Sequence, residues 1–183
     1  MIRPLRILPL LVAALAFAGC DRTDTLAVDP ELEDETSFEQ GFDGWVVGAP
    51  IGSTGTGAIA TGDASAGSSY VRLELAQGSD VVWLQRVFTL EANTSYNVTL
   101  SADLRTFSGA GDVRAWAGSG TPTGTGFVSQ GPVPAQWTRT LAPRPVTTDA
   151  QGRAWVALAV AGTGQSGVFG VDLLGAVFVR TGS

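Results

Sequence analysis

Two short runs set an arginine two residues before a tryptophan: Arg114-Ala115-Trp116 and Arg153-Ala154-Trp155. A third tryptophan, Trp83, stands two residues before Gln85. Residues two apart on an extended strand project from one face, so each indole has a planar hydrogen-bonding group beside it. That pairing can hold a ring that is apolar on its flat faces and polar around its rim. The intervening positions are aliphatic: Val113, Ala115 and Ala117 around Trp116, and Ala154, Val156, Leu158 and Val160 around Trp155. The three tryptophans therefore lie on the polar phase of their strands. Asp103 and Arg105, on the polar phase of another strand, are further candidate hydrogen-bonding groups. Two arrangements stay open: one shared face, or separate faces on which Arg over Trp merely stabilises bare surface by about 0.5–1 kcal/mol. Trp45, followed by Val46 and Val47, and Trp137 read as core residues.

Other chemistry is excluded by what the chain lacks. It has 183 residues, no His and one Cys, so Ser–His and Cys–His nucleophiles are ruled out. No closely patterned acidic pair suggests glycoside hydrolysis, and the Gly-rich segments lack the Lys and following helix of a phosphate loop. The expectation is a non-catalytic protein. All 11 basic residues are Arg and the net charge is −6. Without a basic cluster there is nothing to neutralise phosphates, so nucleic acid is not an expected partner.

The first residues follow a different grammar. Arg3 and Arg6 precede an apolar run, Ile7 to Phe17, that ends in Ala18-Gly19-Cys20. This resembles the bacterial lipobox, with Phe17 where Leu is usual, and implies that residues 1–19 are a signal peptide and that Cys20 is acylated. The other open reading is a soluble signal peptide or uncleaved anchor with an incidental Cys. A lone cysteine also means no internal disulfide. Residues 20–36 continue as an acidic stretch without sustained periodicity, expected to be a disordered tether. The resemblance implies attachment to the bacterial cell envelope through a lipid. Asp21 resembles an inner-membrane retention signal, and inner against outer membrane stays open.

From residue 37 to 183 the pattern has period two, broken by turns, and predicts an all-β fold, an antiparallel β-sandwich. Tyr70–Leu75 alternates aliphatic with charged residues, and Asn93–Phe107 is the clearest strand, joined to Val81–Leu90 by a hairpin over Glu91–Thr94. Further strands are expected at Asp112–Ala117, Gln136–Leu141, Arg153–Ala161 and Val168–Arg180, with short ones at Ser37–Glu39, Trp45–Val47 and Ala58–Thr61. Residues 52–57, 118–126 and 162–167 read as Gly-rich loops, and Pro132, Pro134, Pro143 and Pro145 mark edges or turns.

Phe38-Glu39, Gly44-Trp45, the run Gln85 to Leu90, the run Thr94 to Ala102 and the closing Val171-Asp172 occur in an order similar to that of jelly-roll carbohydrate-binding modules with the galactose-binding-domain-like fold. The resemblance implies a jelly roll that binds a polysaccharide; the strand phases supply Trp83, Gln85, Asp103, Arg105, Arg114, Trp116, Arg153 and Trp155 as candidate contacts. The resemblance also implies one structural Ca²⁺ held by Glu39 and Asp172. Leu173 departs from the second acidic residue usual after that Asp, which leaves the site thinner in charge. The rival reading of the same sandwich is a structural or adhesion module that contacts other proteins without glycan affinity, and no particular protein partner is indicated.

Overall fold

The computed structural model describes residues 31–76 and 80–181. The expected signal segment, Cys20 and the expected tether up to residue 30 lie outside the described residues. Eleven strands follow in order: β1 (Leu32–Thr36), β2 (Val46–Gly48), β3 (Thr56–Thr61), β4 (Ser69–Leu75), β5 (Val81–Thr89), β6 (Ser95–Ser108), β7 (Gly111–Gly118), β8 (Val128–Pro132), β9 (Thr138–Thr147), β10 (Arg153–Gly162) and β11 (Gly167–Arg180). They form two antiparallel sheets. One runs β3-β4-β11-β6-β9 with β1 also on β11; the other runs β2-β5-β10-β7-β8. The expected all-β sandwich is what the chain adopts.

Alternation explains the layering. Tyr96, Val98, Leu100, Ala102 and Leu104 of β6 are at most 1% exposed, facing Leu84, Val156 and Leu158 of the other sheet within one core. Strand β11 organises the six-stranded sheet. It pairs with β6 along one edge, while its other edge is shared by β4, along Gly167–Val171, and β1, along Leu174–Phe178. At the junction the register with β6 shifts between Asp172 and Gly175, and Leu173 adopts φ 46°. That is a β-bulge, which re-aims the side chains around it.

Phe38 and Trp45 anchor the opening segment at 1% and 2% exposure, Trp45 as expected. Trp45 packs edge-on to Phe88 with centroids 6.3 Å apart. Between them the chain makes two tight turns, closed by Gly41 N–H to Phe38 O (3.2 Å) and Trp45 N–H to Phe42 O (2.9 Å).

Several expectations are corrected. Residues 32–36 are not tether: Leu32, Asp34 and Thr36 alternate with exposed Glu33 and Glu35, and Asp34 pairs with Arg86 at 2.8 Å. The acidic run conceals a period of two. Ser37–Glu39 is a turn rather than a strand, with Phe38 at φ 62°. Strand β3 begins within the expected 52–57 loop. Strand β9 continues past Leu141 through Pro143 and Pro145, which is tolerated because it is an edge strand whose outer side needs no ladder donors. Strand β8 was not expected, and β5 and β6 are not a hairpin: residues 90–94 carry the chain from one sheet to the other. Trp137 lies half-buried on the outside of the six-stranded sheet instead of in the core, edge-on to Tyr70 and Phe107 at 5.6 and 6.1 Å.

Trp45→Ala should lower stability by about 3–5 kcal/mol, the usual cost of emptying a buried large aromatic site. Urea denaturation checks this as a lower midpoint with an unchanged m value.

Candidate functional site

The outer face of the five-stranded sheet collects the tryptophans. Register places Trp83 opposite Ala159 and Ala159 opposite Arg114; Gln85, Ala157 and Trp116 form the next row, then Val87, Trp155 and Gly118, then Thr89 and Arg153. Trp83, Gln85, Arg114, Trp116, Arg153 and Trp155 therefore share one face. Trp116 and Trp155 are diagonal neighbours across β7 and β10, within reach of one another's rings. The Trp116 indole leans over Gly118, where a Cβ would come within 2.6 Å of Cζ2. Glycine there lets the ring lie down beside Trp155.

Trp83 has a different role. It is 3% exposed and forms a small cluster of its own with Ala157 and Ala159, outside the main core. Phe127, at the end of the β7–β8 loop, covers this cluster, with its ring 5.4 Å from Trp83 and 6.5 Å from Trp116. The Trp83 Nε1–H donates to Gln85 Oε1 at 2.6 Å. Trp83 thus supports the floor of the face and offers no open ring. Phe127 was missed at the sequence level; the signal was one aromatic residue closing a Gly-rich loop.

The rest of the face is open and rich in donors. Trp116 and Trp155 are half-buried, and among the described residues neither indole N–H meets a protein acceptor. Arg114 spends only Nε on Asp112 (2.9 Å), whose other oxygen accepts from Ser129 (2.8 Å). Arg153 donates Nε to Asp149 (2.7 Å) and Nη2 to Gln151 (3.3 Å). Asp149 also accepts the backbone N–H groups of Gln151 and Arg153, both at 2.8 Å. These bonds, the Arg153 amide foremost, hold the Asp149 carboxyl below its ordinary value and fix the turn that presents Arg153. Exposed Val46 and Val87 flank the face on the β2–β5 side. Two half-open hollows lie elsewhere, one of about 200 Å³ lined by Glu35–Gly41 and Asp43 and one of about 280 Å³ lined by Thr54, Glu74, Ser108 and Val168 among others, and neither is lined by an indole.

Asp103 and Arg105 are not part of this face. Both lie on the outside of the other sheet, because β6 belongs to the six-stranded one. There Asp103 accepts from Ser65 and from Arg139 (3.4 Å), and Arg105 pairs with Asp63 and covers Phe107 at 4.9 Å. Trp137 donates to Asp63 O at 2.9 Å. On that sheet the Trp137 indole N–H is committed to Asp63 O, while Arg105 bonds Asp63 through Nη1 and keeps a buried Nε without a partner.

The expected calcium ligands come to the same loop but do not form an oxygen cage. Asp172, fully buried, accepts N–H bonds from Ser65, Ala66 and Leu173, and Glu39 accepts those of Ser68 and Ser69. Burial pushes the Asp172 carboxyl above its ordinary value, while the amides hold Glu39 below. Among the described residues no three His, Cys, Asp or Glu side chains are grouped to hold a metal. Calcium takes 6–8 oxygen ligands; at this place the structure describes two carboxylates, both engaged by amides of the 65–69 loop.

No family model matches the chain, and no curated protein matches it. Solved structures do share its fold. A family 22 xylan-binding module from Paenibacillus barcinonensis aligns with TM-score 0.53 and 15% identity over 85% of this chain and 98% of that one. A C-terminal family 22 carbohydrate-binding module from Clostridium thermocellum gives 0.51 and 14%, over 85% and 96%. A family 61 module solved with β-1,4-galactotriose gives 0.50 and 17%, over 79% and 94%. The chain has the jelly-roll fold of carbohydrate-binding modules, and these neighbours are non-catalytic modules, some of their kind being attached to catalytic domains.

Two outcomes follow for the face. Trp83→Ala should cost on the order of 3 kcal/mol in a urea titration, as a buried aromatic does, whereas Trp116→Ala and Trp155→Ala should each cost clearly less. The stability difference between wild type and Asp149→Asn should be constant above the ordinary Asp value of 3.8 and shrink as pH falls below it, because a carboxyl held low in the fold stabilises only while ionised.

Proposed function

We propose that the outer face of the five-stranded sheet binds carbohydrate, with the Trp116 and Trp155 indoles as the stacking surface. The observation that carries this reading is the pair of adjacent, half-buried indoles with uncommitted N–H groups on an open face. Pyranose rings present apolar C–H faces and polar rims, which suits aromatic planes edged by donors. Gln85 Nε2, Arg114 and Arg153 supply those donors. A platform on the outer face of a sheet suits a polymer more than a free monosaccharide. The fold shared with xylan-binding and galactotriose-bound modules supports a glycan as the ligand class, without naming the glycan. In this reading the protein is non-catalytic, and the Ala18-Gly19-Cys20 motif supports a lipid anchor holding the module at the bacterial envelope.

Exposed Val87, opposite Trp155, and exposed Val46, opposite Gln85, favour a second reading, a protein-contact module that uses the same face as an apolar patch. A glycan-array screen separates the two. Binding of the wild-type protein to at least one polysaccharide, weakened at least ~10-fold (about 1.4 kcal/mol) by Trp116→Ala or Trp155→Ala with folding intact, is the expected result. No binding to plant, algal or bacterial glycans would transfer the face to the protein-contact reading. Fatty-acid labelling in the expressing cell should mark wild type and not Cys20→Ser; an unlabelled wild type removes the anchor.

A further inference from the structure

We infer that Glu39 and Asp172 form a metal-independent clasp, in which backbone amides of the 65–69 loop take the place that a divalent cation would have between the two carboxylates. The site lies where β1 ends and β4 begins along the shared edge of β11. Register leaves Asp172 and Leu173 without a partner strand on that edge, because β4 pairs up to Val171 and β1 starts at Leu174. A gap in a sheet leaves polar groups to be satisfied by something else, and the 65–69 loop fills it. Asp172 Oδ2 accepts Ser65 N–H at 3.0 Å and Ala66 N–H at 2.9 Å, and Oδ1 accepts Leu173 N–H at 2.8 Å.

The other half of the loop turns to Glu39. Its Oε1 accepts Ser68 N–H and Ser69 N–H, both at 2.7 Å, and its Oε2 accepts the Ser68 hydroxyl at 2.9 Å. Gly67 stands between the two amide pairs at φ 67°, and a Cβ there would strike Glu39 Oε1. Glycine therefore makes the reversal possible in two ways: it adopts the left-handed backbone without strain, and it leaves room for the carboxylate. The Ser65 hydroxyl adds a bond to Asp103.

Successive amides converging on an anion form an anion-binding concavity. Each N–H directs its positive end at a lone pair that a cation would need. Calcium needs those oxygens free, at 2.3–2.6 Å, together with several more. Asp172 Oδ2 and Glu39 Oε1 each accept two amides, so an ion on those two oxygens would require the Ser65, Ala66, Ser68 and Ser69 amides to turn away, and that would undo the loop closing the sheet. The clasp does the mechanical work of a metal tie, joining the start of the fold to its last strand, with donors the chain carries itself. None of this depends on the carbohydrate reading.

The test uses the full chain. Wild-type Tm should agree within about 1 °C between EDTA and millimolar calcium, whereas a site saturated to 100 times its Kd would raise Tm by several degrees. Amide exchange in EDTA should show Ser65, Ala66, Ser68 and Ser69 protected, with rates unchanged by calcium. Glu39→Ala should speed exchange at Ser68 and Ser69 at least ~10-fold and leave Ser65 and Ala66 slow. A Tm that rises with calcium, or amides in this loop that exchange freely in EDTA, would overturn the clasp. If Glu39→Ala fails to fold, the wild-type comparison alone decides.

Discussion

Strand β11 must serve two partners along a single edge, and the rest of the molecule is arranged around that demand. Its β6 edge is one ladder whose register shifts twice, after Val168 and after Asp172, while its other edge passes from β4 to β1 at Asp172 and Leu173. A buried carboxylate at that point is expensive unless it is hydrogen-bonded, and three amides supply the bonds. Closing this point fixes β1 and the turns after it, which seat Phe38 and Trp45 in the core beneath β5. Strand β5 in turn carries Trp83 and Gln85 to the opposite surface. The last strand of one sheet thus sets the geometry of the outer face of the other.

That outer face depends on small residues as much as on aromatic ones. Strand β10 is buried on both sides: Val156, Leu158 and Val160 face the core, and Ala157 and Ala159 lie under Trp83 and Phe127. Larger side chains at those alanines would lift the aromatic cover. Gly48 and Gly118 do the same service at the flanks, each lying under an indole. Rigid aromatic planes on a pleated surface need such low positions, since side chains stand roughly perpendicular to a sheet. Trp83 with Phe127 is consequently scaffold, and Trp116 with Trp155 is surface.

The chain reveals its β architecture because alternation survives wherever one strand face is wet. The runs Tyr96 to Leu104 and Arg153 to Val160 show it plainly, and the phase of Trp83, Trp116 and Trp155 follows from the same rule. Which sheet a strand joins is a non-local property, so the polar phase of β6 looked equivalent to that of β7 and β10. Asp103 and Arg105 were grouped with the tryptophans for that reason. Strand β1 was hidden because charge dominates Glu31 to Glu35 and only Leu32 and Thr36 mark its inner phase. The family resemblance names Glu39 and Asp172 together, and both carboxylates reach the 65–69 loop. The chemistry between them was not legible, because a sequence does not state whether a loop turns its amides or its carbonyls toward a carboxylate.

The most direct test of the central assignment, the outer face of the five-stranded sheet as ligand platform, is an NMR titration that follows the five indole N–H signals as polysaccharide hydrolysates are added. The account predicts that the Trp116 and Trp155 signals move together and saturate, while Trp45 and Trp83 stay in place. Movement of Trp137 alone would put the ligand on the six-stranded sheet, and five unmoved signals with a glycan that demonstrably binds would contradict the platform altogether.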